Sequence, residues 1–213
     1  MTRSALGLLA MLAACGASVP EIHHYTLGER EPASGAGGGS RARVRPTGVV
    51  EIADFESDAA YQDTRMAYRT GPVRLDYYDY HEWVAVPAVL VPDLVRTALE
   101  QTGRFRRVLR RPASGADLRL SGRILRFEEQ DASPRAWEAV FVVALWVEDL
   151  ASGEIVLDER FERRAAVDEQ TPAGVALALS EAVQSVVAEL APDLARLASR
   201  ARAADEELGG PEG

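Results

Sequence analysis

The sequence predicts an α+β domain: a mostly antiparallel sheet of about six to seven strands with two helices packed on one face, in the order β-β-β-α-β-β-β-β-α. Three observations lead there. Short alternating or wholly apolar runs, separated by turn residues, recur between residues 49 and 164. Two other stretches, near 87–102 and 172–197, repeat their apolar residues at steps of three and four. Apolar residues make up 47% of the chain, enough for one sizeable core.

Residues 1–14 carry an early charge at Arg3 and an apolar run too short to span a bilayer. Leu12-Ala13-Ala14-Cys15 resembles a lipobox, in which the thiol of Cys15 receives a diacylglyceryl group. A triacylated terminus anchors stably without a transmembrane helix. Gly16 rather than aspartate follows, which by the sorting pattern of enteric lipoproteins implies the outer membrane. Residues 15–47, rich in Gly, Ser, Ala and Arg without periodicity, read as a lipidated flexible tether with a reach of roughly 30 Å. The run Gly37-Gly38-Gly39-Ser40 lacks both the preceding strand and the Gly-Lys-Ser/Thr ending of a phosphate loop.

A single periplasmic domain is expected over 48–200, with a charged, mobile tail at 201–213. Residues 49–55, 65–69 and 73–83 form the first strands, the last two joined across Thr70-Gly71-Pro72. Residues 87–102 form a helix with Gly103 beyond its C-terminus, its regular part starting near Pro92 because proline suits only a first turn. A short strand at 105–109 is crowded by Arg104, Arg106, Arg107, Arg110 and Arg111. Charge that discourages edge pairing accounts for them better than a patch for anionic headgroups or an acidic partner. Residues 118–127 alternate until a phase break, which predicts a bulge between Gly122 and Arg126. Residues 137–149 are apolar on both faces and belong mid-sheet with both faces covered, or with one face buried against another subunit. A hairpin at 150–153 returns the chain to a strand over 154–164. The last helix begins with Thr171 as N-cap and Pro172 at its first position, packs along a sheet rather than in a coiled coil, and should kink or restart at Pro192.

Composition limits function. A net charge of −9 speaks against nucleic acid as a partner. All positive side chains are arginines, as in a GC-rich coding background. The lone Cys15 and three histidines offer no metal cluster, and no cofactor is called for. No catalytic motif is apparent. The adjacent pairs Glu128-Glu129 and Glu206-Glu207 read as element-end residues that do not converge on one atom, so the chain is expected not to be an enzyme.

Five of the six tyrosines and Trp83 fall between residues 61 and 87. The two faces of the strand there, Arg74/Asp76/Tyr78/Tyr80/Glu82 and Leu75/Tyr77/Asp79/His81/Trp83, both mix charge with rings, as partner surfaces do. The series Tyr61, Met66-Ala67-Tyr68-Arg69, Leu75, Tyr77-Tyr78, His81, Trp83 and Pro87, together with Tyr25-Thr26-Leu27, resembles the ABC-type transport auxiliary lipoproteins, the PqiC/YmbA-like family. The resemblance implies an accessory lipoprotein that works beside an MCE-domain protein and an ABC permease/ATPase complex, docking the periplasmic conduit at the outer membrane. It also implies a ring of copies. On this reading Arg69, Tyr77, Tyr78, Tyr80, His81 and Trp83 bind the partner. Against it stands internal packing, with Arg69 paired to Asp76 or Asp79. Two other functions remain open: a structural or assembly lipoprotein of the envelope, and a lipid-binding carrier with a deep apolar pocket.

Overall fold

The computed structural model describes residues 20–28, 45–110, 115–133 and 136–208. Cys15 and the glycine-rich run at 37–40 lie outside them. Among the described residues, nine strands and two helices follow the order β1 (His23–Tyr25), β2 (Thr47–Ile52), β3 (Glu56–Ser57), β4 (Arg65–Arg69), β5 (Leu75–Trp83), α1 (Pro87–Gln101), β6 (Phe105–Arg110), β7 (Leu118–Ser133), β8 (Ala136–Asp149), β9 (Ile155–Ala166) and α2 (Pro172–Leu208). A 3-10 turn, Ala59–Tyr61, links β3 to β4.

The α+β class holds, but the expectation of a mostly antiparallel sheet of six to seven strands does not. The sheet is mixed and nine-stranded, and five of its eight strand pairings are parallel. β7 is the reason. Its 16 residues pair antiparallel with β8 along one edge. The other edge is shared in steps by β2 at Val50↔Leu118, β3 at Ser57↔Ile124 and β4 at Tyr68↔Glu129, all parallel. Antiparallel pairing survives where a tight turn can join the strands, in β4–β5, β7–β8 and β8–β9.

β8 is central as its two-sided apolar pattern requires, flanked by β7 and β9. Ala139, Phe141, Val143, Leu145 and Val147 face the core with Leu118, Leu120, Ile124 and Phe127. Both helices lie on that side and touch each other. Leu179, Leu190 and Leu194 of α2 and Leu99 of α1 are fully buried there. α2 is long and apolar enough to cross a bilayer by composition, yet 61% of its most apolar window is buried within the domain, which explains the hydropathy. The predicted bulge appears between Ile124 and Arg126.

The helix ends follow local chemistry. The Thr171 hydroxyl accepts from the Gly174 amide at 3.1 Å, and Gly103 closes α1 with φ of 64°. Pro92 does not start α1, and α2 does not restart at Pro192. α1 starts at Pro87 and continues through Pro92, and α2 is one helix through Pro192. Proline at 192 removes the bond to the Ala188 carbonyl, which sits on the exposed side of α2 where water can satisfy it.

Gly122 has no room for a side chain. A Cβ there would lie 2.7 Å from Leu145 Cδ2 and 2.9 Å from Phe55 Cε2. Gly122→Ala is therefore expected to lower stability by about 1–3 kcal/mol through overpacking, read as a lower urea midpoint at unchanged slope.

Candidate functional site

The aromatic stretch does not alternate as a plain strand. Between the pairs Arg65↔Glu82 and Ala67↔Tyr77, β4 contributes Met66 alone while β5 contributes Tyr78, Asp79, Tyr80 and His81. This wide bulge re-aims the rings and makes both predicted face sets wrong beyond Tyr77.

Of the six predicted partner-binding residues, Trp83 is buried, Arg69, Tyr77, Tyr78 and His81 are half-buried, and Tyr80 is exposed. Trp83 is 2% exposed and packs on Phe127 with ring centroids 5.2 Å apart. The Tyr77 hydroxyl donates to the Ala60 carbonyl at 2.9 Å, and the Arg65 guanidinium sits 4.7 Å above its ring. Arg69 bonds neither Asp76 nor Asp79. Its guanidinium donates two bonds, 2.8 and 3.1 Å, to the Glu128 carboxylate. Tyr78 donates to Glu129 at 2.8 Å and contacts the rings of Tyr68 and His81. His81 Nδ1 shares a hydrogen bond with the Tyr25 hydroxyl at 2.9 Å, and the ring stacks on His23. Burial, with His23 nearby, lowers its pKa and so favours the neutral imidazole. Among the described residues no three His, Cys, Asp or Glu side chains form a metal-binding group.

Sequence reasoning missed the two glutamates at the centre of this arrangement. Glu128 and Glu129 lie within β7, not at an element end, and are 0% and 1% exposed. As strand neighbours they point to opposite faces. Burial pushes the Glu128 carboxyl up, but hydrogen bonds from Arg69, Tyr61 and Arg126 outweigh it and hold the pKa below the ordinary carboxylate value. Glu129 accepts from the Tyr78 hydroxyl and has no arginine bonded to it among the described residues. Burial, reinforced by Asp131, raises it to about 7. Burial and the adjacent carboxylates in turn push the phenols of Tyr61 and Tyr78 well above their ordinary value. The glutamates' partners, Tyr61 of the 3-10 turn, Arg69 of β4 and Tyr78 of β5, lie 67, 59 and 51 positions away in the chain, so spacing carried no signal. The two carboxylates tie β7 to its neighbours from opposite faces, Glu128 to Arg69 of β4 and to Tyr61, and Glu129 to Tyr78 of β5. Both are spent on internal bonds, and no nucleophile–base pair is formed.

Accessible surface remains at the outer edge. Tyr80 is 44% exposed on the bulge, and Val84, just past β5, is 58% exposed. β1 pairs in parallel with β5 at His23↔His81, so Ile22, 47% exposed, comes alongside Tyr80. The predicted tether over 15–47 is thus partly folded. Leu27 is buried, and the Gly28 amide donates to the Ser180 hydroxyl of α2 at 2.9 Å.

A family model described as the ABC-type transport auxiliary lipoprotein component matches residues 25–191. The chain belongs to this family. The fold agrees with solved structures of low identity. Protein XCC0632 from Xanthomonas campestris, assigned to the DUF330 family, superposes with a TM-score of 0.69 at 19% identity, over 85% of this chain and 98% of that one. An uncharacterized protein gives 0.67 at 10% identity, over 82% and 99%. No curated protein matches the sequence. The matched span starts at Tyr25, within β1, so this transport auxiliary lipoprotein counts the Tyr25-Thr26-Leu27 segment as part of its family domain.

Proposed function

We propose that the protein is the non-catalytic accessory lipoprotein of an MCE/ABC-type lipid transport system, anchored by Cys15 in the outer membrane and facing the periplasm. The observation that carries this reading is the transport-auxiliary family match across the folded domain. The partner, an MCE-domain protein joined to an ABC permease and ATPase, docks on the exposed edge of Ile22, Tyr80 and Val84. Arg69, Tyr77, Tyr78, His81 and Trp83 act behind that surface by fixing the bulge that presents Tyr80. Apolar and aromatic side chains at a rim are what such a contact uses. Seven residues, 16–22, separate Cys15 from β1, so the chain between them spans at most about 28 Å. The domain then works next to its membrane.

A lipid-carrier role fits poorly. A groove of about 780 Å³ between β9 and α2 mixes Arg163, Arg164, Glu169 and Glu181 with Leu177 and small alanines, so it is not the deep pocket with few polar groups that an acyl chain requires.

Extraction of the tagged whole protein from its native membranes in mild detergent tests the reading. An MCE-domain protein is expected to co-purify, and Tyr80→Ala with Val84→Asp should reduce its recovery at least tenfold while the domain still unfolds cooperatively. Cys15→Ser should release the protein from the outer-membrane fraction. Recovery of no MCE-domain protein from the native membranes would remove the transport-docking role.

A further inference from the structure

β9 is the longest open edge of the sheet. β8 pairs with it on one side, and no described strand lies on the other. From Leu157 to Ala166 its register against β8 is unbroken. Its charges are ordered in an unusual way about Phe161. Asp158, Glu159 and Arg160 precede the phenylalanine, and Glu162, Arg163 and Arg164 follow it. Reflection through Phe161 reverses every sign.

We propose that this edge pairs with the same edge of a second copy of the chain, antiparallel about a two-fold axis at Phe161. In that register Arg160 faces Glu162 of the second copy, Glu159 faces Arg163, and Asp158 faces Arg164, each pair occurring twice. Leu157 meets Ala165, and the exposed Val156 meets Ala166. Directly opposed residues of an antiparallel pair share a face, so each of these pairs meets side by side. The register is selective. A shift of two residues sets Asp158 against Glu162 in one direction and Arg160 against Arg164 in the other, and a shift of one puts every side chain on the wrong face.

Charge on an edge strand ordinarily keeps sheets apart because like charges meet. Here the self-paired register sets an opposite charge directly across from each of the six charged residues. The first half of the strand is also unengaged. Asp158, Glu159 and Arg160 are exposed and form no ion pair among the described residues, whereas Arg163 is held by Glu189 of α2 and Arg164 by Glu138 and Glu162. The positive half is thus fixed in place and the negative half is free to receive it. The contact is isologous and closes on itself as a pair, so it builds no ring alone. It does not depend on the transport reading.

The test uses two charge reversals in the whole protein, extracted in mild detergent and measured by light scattering corrected for bound detergent. Asp158→Arg sets arginine against Arg164 twice, and Arg164→Asp sets aspartate against Asp158 twice. Each variant alone is expected to self-associate at least tenfold more weakly than the wild type. An equimolar mixture restores opposite charges at both positions and is expected to recover the wild-type association as a mixed pair. Circular dichroism of each variant checks that the fold is kept, and recovery in the mixture excludes misfolding as the cause. Wild-type protein that is monomeric at about 100 μM, variants that associate like the wild type, or a mixture that stays dissociated would each overturn the proposal.

Discussion

At pH 8, replacing Glu129 by glutamine is expected to stabilise the domain by about 3 kcal/mol, an unusual direction for a buried position. Glu129 is 1% exposed, and burial holds its pKa at about 7 in the folded protein. In the unfolded chain it titrates near the ordinary 4.5. The folded state therefore binds this proton more tightly. Its contribution to stability is complete below pH 4.5, declines as pH rises towards 7, and remains a constant deficit above that. Glutamine keeps the shape and still accepts from Tyr78, but it never ionises. Urea unfolding of both proteins between pH 4.5 and pH 8 checks this. The gain should be full at pH 8 and nearly absent at pH 4.5, and a gain that does not vary with pH would refute the assignment.

Arg69→Ala should act in the opposite sense and cost about 3 kcal/mol at pH 7. Glu128 is wholly buried and ionised, and Arg69 provides its bidentate partner. Arg126 and Tyr61 remain, which sets the loss at the lower end for a broken buried pair. The folded pKa of Glu128 is depressed, so its contribution is present above the ordinary carboxylate value and disappears as pH falls through the folded value. The penalty of Arg69→Ala should shrink in acid for that reason. It should also shrink when Glu128→Gln is added, because no uncompensated charge is then left behind. Equal losses with and without Glu128→Gln would show that packing, rather than charge, is what Arg69 provides. The two neighbouring glutamates thus give the domain opposite pH dependences.

Much of this was legible because it is local. Thr171 and Gly103 mark their helix ends by chemistry that needs only a few neighbours, and the two-sided apolar pattern of 137–149 suffices to place β8 mid-sheet. What the sequence hid is non-local. Alternation identifies β2, β4 and β7 as strands but carries nothing about which edges meet, and hairpin logic made the parallel pairings invisible. β1 is three residues, two of them histidines, and its pairing with β5 spans 58 positions. The bulge in β5 follows from its pairing with a shorter β4, so the ring directions of Tyr78 to His81 could not be read from spacing. Glu128 and Glu129 looked like surface pairs because only the fold brings Tyr61, Arg69 and Tyr78 to them.

The stepped edge of β7 also sets an order in time. β2, β3 and β4 have to wait for a strand made 61 to 68 residues later in the chain, as Val50↔Leu118 and Tyr68↔Glu129 show. Early in synthesis the first hundred residues own the small β1-β5-β4 sheet and a helix, but not the long strand that joins them to β2 and β3. Such distant pairings close slowly because the loop entropy is spent before any contact repays it. Until β7 arrives, the apolar faces of β2 and α1 are bare, and the nascent chain is at its most vulnerable to aggregation and proteolysis.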